Sequence, residues 1–160
     1  MTASVTGRKL VALSLTSAIM SLSNAYATPT DTTTNNAAVT GSTTPGPITL
    51  DTDNGSVRIQ ITQDPKTIQL KEPVKFILDF LDPSSNKSIS HVNYDFSVVD
   101  EQQNKIADKS SMHTHKGHDT QSVVFDNPGN FTLSINVKGT GIDKPFDTSQ
   151  SGMVTTHIVV

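Results

Sequence analysis

The chain has no cysteine and no tryptophan, and only two of its 160 residues are glutamate, Glu72 and Glu101. Without Cys there are no disulfide staples, no thiol catalysis, no thiolate zinc sites and no Cys-ligated blue-copper centre. Stability must come from packing alone. Scarce Glu leaves few general bases for metal-assisted hydrolysis, which needs one beside an open coordination position. No Gly-x-Ser-x-Gly elbow occurs, so a hydrolytic triad has no support and an enzymatic role is not expected. Aromatic residues make up 5% of the chain, and acidic and basic residues are interspersed to a formal net charge of −3. No basic patch interleaved with aromatics exists, so nucleic acid is not an expected partner. Long apolar runs are also missing after the first 27 residues, and no membrane span is expected once that segment is removed.

The first 27 residues read as an address. Arg8 and Lys9 form a positive n-region, Leu10 to Leu22 an apolar stretch diluted by Ser and Thr, and Ala25-Tyr26-Ala27 a small-x-small cleavage pattern. Export is the expected fate, with a mature chain starting at Thr28. Residues 28–47 are dominated by Thr, Asn, Pro, Gly, Ser and Ala. So little apolar surface cannot offset the entropy of ordering a chain, which predicts a disordered linker. Residues 48–160 remain for one domain with one core.

That domain alternates with period two and shows no 3.6-residue apolar stripe. Val57, Ile59 and Ile61 form one inward row; Val74, Phe76, Leu78 and Phe80 another; Val92, Tyr94, Phe96 and Val98 a third. Phe131, Leu133, Ile135 and Val137 follow, and Val154 to Val160 closes the chain. Turn clusters at Asp82-Pro83-Ser84-Ser85-Asn86 and Asp126-Asn127-Pro128-Gly129-Asn130 separate these rows. The expectation is an all-β, immunoglobulin-like antiparallel β-sandwich of about seven strands, each burying one face. The triplets beginning at Asn54, Asn86 and Asn130 match the N-glycosylation pattern and fall in predicted turns or strand starts.

Chemistry concentrates in Met112-His113-Thr114-His115-Lys116-Gly117-His118-Asp119, which holds three of the five histidines. Imidazole is the commonest metal ligand, and histidines two apart on a strand share a face. If the strand from His91 to Asp100 forms a hairpin with the returning segment from Lys105, paired numbers sum to about 204 to 206. His91 then lies opposite His113 or His115, on the same face when the sum is even. His118 follows one turn later. His91, His113, His115 and His118 are therefore the expected ligands of a divalent metal, copper or zinc, with Asp119 ligating or orienting an imidazole. Against this, Lys116 places a positive charge within the cluster. His157 sits on the polar row of the last strand, apart from the others.

The segments His91-Val92-Asn93-Tyr94-Asp95-Phe96-Ser97-Val98, His113-Thr114-His115-Lys116-Gly117 and Pro128-Gly129-Asn130-Phe131-Thr132-Leu133-Ser134-Ile135-Asn136-Val137-Lys138-Gly139 carry a resemblance. Across roughly residues 56–139 the chain is similar to small exported immunoglobulin-like proteins of ammonia-oxidising archaea, mostly of unassigned function. The resemblance implies the sandwich fold and an extracytoplasmic, cell-envelope location. It also implies copper, on which the enzymes of that compartment rely. The chain departs from secreted copper-carrier sandwiches in lacking Met-rich segments and a histidine at the mature N-terminus. Two functions are expected to compete: an exported, non-enzymatic metal-binding domain, and a structural or adhesion module that pairs with another cell-envelope protein through its edge strands.

Overall fold

Alternation of β-branched and aromatic residues with polar ones produces strands rather than helices throughout the part of the chain described by the computed structural model, residues 46–160. The signal-peptide reading of 1–27 and nearly all of the linker reading of 28–47 lie outside the described residues. Eight strands follow in order: β1 Ile48–Asp51, β2 Arg58–Asp64, β3 Pro73–Leu81, β4 Val92–Asp100, β5 Lys105–Thr114, β6 His118–Val124, β7 Asn130–Thr140 and β8 Gly152–Val159. They form two four-stranded sheets, ordered β1-β2-β3-β6 and β5-β4-β7-β8, with every neighbouring pair antiparallel. Among the described residues there is no helix, and so none long and apolar enough to cross a membrane.

The inward rows meet between the sheets. Ile59, Val74, Leu78, Phe80, Val92, Tyr94, Phe96, Val98, Leu133 and Ile135 are all fully buried. Burial at that level stabilises by about 1.5–3 kcal/mol per large side chain, the main force joining the layers. Phe80 against Tyr94 (ring centroids 4.9 Å) and Phe125 against Phe131 (4.8 Å) link the two sheets. Architecture and class are as expected, an immunoglobulin-like antiparallel β-sandwich. β1, four residues with no buried position, is the strand that alternation does not announce.

Two details of the β4–β5 hairpin position the histidines. Paired numbers sum to 204 beside the turn (Val99 with Lys105), 205 mid-strand (Phe96 with Lys109) and 206 at the open end (Asn93 with His113). Each step is a bulge, in which the longer strand places an extra residue against its partner. Ser111, at φ 57°, lies in the second. Lys109 pairs with core-facing Phe96, and Met112 with core-facing Tyr94, so the inward parity of β5 switches from odd to even across Ser110-Ser111. That switch turns His113 and His115 outward. With the first bulge but not the second, β5 would direct them into the core.

The turn after β5 crosses between sheets. Thr114 Oγ1 donates to the His118 carbonyl at 2.7 Å, and the Phe80 amide donates to the Gly117 carbonyl at 2.8 Å. Gly117 has φ 68°, and a Cβ there would stand 2.1 Å from the Ile89 carbonyl oxygen. Only glycine fits. The crossover carries His118 onto β6, opposite Asp79 of β3, in the sheet that does not contain β4 and β5.

Candidate metal centre

His91 immediately precedes β4, His113 is the penultimate residue of β5, and His115 immediately follows β5. All three lie on the outer side of the β4–β5 ladder, at its open end. One ring nitrogen from each comes within 4.8 Å of the others. Ring centroids are 5.6 Å apart for His91 and His113, 5.2 Å for His91 and His115, and 4.7 Å for His113 and His115. His91 and His113 are half-buried and His115 is exposed, so the group faces solvent on one side.

The backbone holds His91 from both directions. Its amide donates to the His115 carbonyl at 3.3 Å, and its own carbonyl accepts the Gly141 amide at 2.9 Å. The first contact continues the hairpin register one step beyond the strands. His91 adopts φ 54°, a conformation His tolerates better than β-branched residues do. Gly141 belongs to the segment after β7, where Thr140 and Asp147 bridge back onto one another.

Within the triad, His91 Nδ1 lies 3.5 Å from His113 Nε2, at the limit of a hydrogen bond. Two bonds of about 2.0–2.1 Å to one metal at a tetrahedral angle would set their nitrogens about 3.3–3.4 Å apart. The pair therefore already stands near the separation a shared ion imposes. His113 Nδ1 contacts Asn93 Oδ1 at 2.8 Å. Burial lowers the pKa of His113, and the neighbouring His115 and His91 lower it further. Its ring is therefore neutral near pH 7, the form that binds metals.

His118 lies outside this group. Its Nδ1 meets Asp79 Oδ1 at 2.6 Å on the other sheet. Sequence spacing makes it look like a hairpin neighbour; the inter-sheet crossover at Gly117 separates it. Asp119, the anticipated ligand or orienting carboxylate, faces inward instead: its Oδ2 accepts from Tyr94 Oη at 2.5 Å and from Gln121 Nε2 at 3.3 Å. Met112 packs against the hydrophobic core. His157 Nδ1 is 3.5 Å from Thr132 Oγ1 on the β7–β8 ladder, away from the triad. The contributor that spacing did not single out is Asn93. Its signal was present, since it occupies the polar row of β4 two positions after His91.

Chemically, three imidazoles sharing one face can supply three ligands and leave a further position for water or an exogenous ligand. No protein-family model matches the chain, and no curated protein is significantly similar to it.

Proposed function

We propose that this protein is an exported, non-enzymatic β-sandwich that holds or delivers a divalent transition metal through His91, His113 and His115. The observation that carries this reading is the convergence of three ring nitrogens within 4.8 Å from residues 22 and 24 positions apart in sequence. Copper is the favoured ion and zinc the alternative. An all-nitrogen, charge-neutral ligand set suits both, and at such sites Cu(II) ranks above the other divalent first-row metals. The similarity to exported archaeal sandwiches supports the same metal and an extracytoplasmic site. A carrier role is favoured over catalysis because carboxylates on the surrounding strands are engaged elsewhere: Asp95 with Lys138 and Ser111, Asp79 with His118, Asp119 with Tyr94.

Calorimetric titration of the purified chain with Cu(II) and Zn(II) tests the reading. One-to-one binding, weakened at least about tenfold by His91→Ala and by His113→Ala but unchanged by His118→Ala, is expected. Weak binding of uneven stoichiometry, indifferent to His91, would overturn it.

The second reading is an interaction module of the cell envelope. It is favoured by β8, an edge strand with no charged residue or proline from Gly152 to Val159 and with Met153 and Val159 exposed. Natural edges are usually blunted by such features, and an edge without them can take up a partner strand, here along residues 154–159, since Asp53 already engages the amide and carbonyl of Met153. In that case Thr155→Lys on β8 would abolish partner capture and leave metal titration unchanged.

A further inference from the structure

Asn93 is an oddity of the fold. It lies on the outer face of β4, where its neighbours Asp95 and Ser97 are half-exposed, yet only 7% of its surface reaches solvent. In register it stands between His113 of β5 and Gly139 of β7. Gly139 carries no side chain, and a Cβ there would come 2.4 Å from the Asp147 carbonyl oxygen. The segment after β7 can therefore fold down over β4 and cover the amide.

The covered amide has a defined orientation. One end lies 2.8 Å from the Gly141 carbonyl and 3.3 Å from the His91 carbonyl. Carbonyl oxygens only accept, so that end must be the NH2 group. The other end is then Oδ1, which only accepts. It lies 2.8 Å from His113 Nδ1, so that nitrogen must carry the proton. A neutral imidazole has one N–H, and Nε2 is left with its lone pair directed toward His91.

We propose that Asn93 is the positioning residue of the histidine triad: its buried amide holds His113 as the Nδ1–H tautomer and makes Nε2 the ligating nitrogen. The same side chain anchors the His91 carbonyl, so one amide fixes the relative placement of two ligands, one on β5 and one just ahead of β4. Its consequence for metal affinity rests on the metal reading above; the tautomer assignment does not.

Long-range imidazole 15N spectra of the metal-free chain, recorded above the His113 pKa, test the assignment first. Wild-type His113 is expected as the Nδ1–H form. Asn93→Leu should release it toward the Nε2–H form, whereas Asn93→Asp, which keeps an acceptor facing His113, should retain Nδ1–H. Both variants lose the donors to Gly141 and His91, so a merely structural role would disturb both alike and would not separate their tautomers. With Cu(II) or Zn(II), affinity should fall about 10–100-fold in Asn93→Leu and less in Asn93→Asp. Wild-type His113 found as Nε2–H would overturn the proposal even if Asn93→Leu fails to fold. An unchanged tautomer in a folded Asn93→Leu would overturn it as well. A chain that shows the expected tautomers but takes up no metal would refute the metal reading and leave the role of Asn93 standing.

Discussion

The backbone amide of Ser111 donates to the Asp95 carboxylate at 2.8 Å, closing the bulge that reverses the inward parity of β5. Burial raises the Asp95 pKa, but the hydrogen bonds from Lys138 and Ser111 outweigh it and the net shift is downward. The carboxylate is thus charged at neutral pH and satisfies the amide that the ladder leaves unpaired. Because the bulge decides which face His113 occupies, a local backbone feature controls the metal centre. Ser111→Gly, suited to φ 57°, should leave stability unchanged or slightly raised. Ser111→Val should cost about 1–2 kcal/mol in urea unfolding. Deleting Ser111 should abolish metal uptake while far-UV circular dichroism stays β-rich. Uptake that survives the deletion at full affinity would show that the bulge does not place the ligands.

At the inter-sheet turn, two effects coincide at Gly117 and can be separated. Asn tolerates the left-handed region almost as well as glycine, so a purely conformational constraint would be relieved by Gly117→Asn relative to Gly117→Ala. The close approach of the Ile89 carbonyl makes a different demand, because any Cβ meets it at 2.1 Å. Both variants should therefore lose at least about 2 kcal/mol of unfolding free energy, with Asn giving no rescue. Recovery of stability in Gly117→Asn would assign the requirement to backbone conformation alone.

Much of this fold is legible in the amino-acid order. The rows beginning at Val57, Val74, Val92 and Phe131 all became buried faces of the predicted sandwich, since alternation reports burial directly. β1 was not legible, because Ile48-Thr49-Leu50-Asp51 is short and buries no residue. Hairpin arithmetic placed His91 near His113 and His115, yet it did so without the two bulges, the first of which makes the sum odd and the second even again at the open end. Ser110-Ser111 carries no sequence mark of a bulge; the excess residue exists only relative to β4. His118 was misplaced because Lys116-Gly117 reads equally well as a hairpin turn and as a crossover. Only the pairing of β6 with β3 decides which.

Acid should loosen the domain in two separate stages. The folded-state pKa of His113 lies below its ordinary value of 6.5, so protonation favours the unfolded chain. Stability is complete above about pH 6.5 and declines as pH falls from there toward the lower folded-state value. The depressed carboxylates Asp82, Asp95 and Asp100 act the same way only below their ordinary value of 3.8. Urea midpoints measured from pH 7 to 5 should fall in the wild type and fall less in His113→Gln. Saturating metal should raise every midpoint and steepen the decline, since its binding competes with protons and its stabilisation fades as pH falls. Identical profiles for the two proteins would remove His113 as the group responsible.

Tyr94 is the neighbour of Asn93 in sequence but faces the opposite side of β4, and that opposition yields the sharpest control for the metal centre. Its hydroxyl donates to Asp119 Oδ2 and accepts from Gln121 Nε2 at 2.7 Å. Gln121 Oε1 in turn accepts from Lys109 Nζ at 3.0 Å. Burial, and then the Asp119 carboxylate, push the Tyr94 pKa upward, so the phenol keeps its proton and continues to donate. Tyr94→Phe preserves the packing against Phe80 but leaves a half-buried carboxylate without its shortest hydrogen bond. The expected cost is about 1–3 kcal/mol in urea unfolding. Metal affinity should stay within about twofold of wild type, because nothing on the outer face of β4 moves; effects on opposite faces of one strand are close to independent once the backbone is held. Asn93→Leu, one residue away, should show the converse emphasis, with affinity reduced far more. A Tyr94→Phe protein that loses metal binding while keeping its stability would mean that the inner and outer faces of β4 are coupled, and the metal centre would have to be redrawn to include the core.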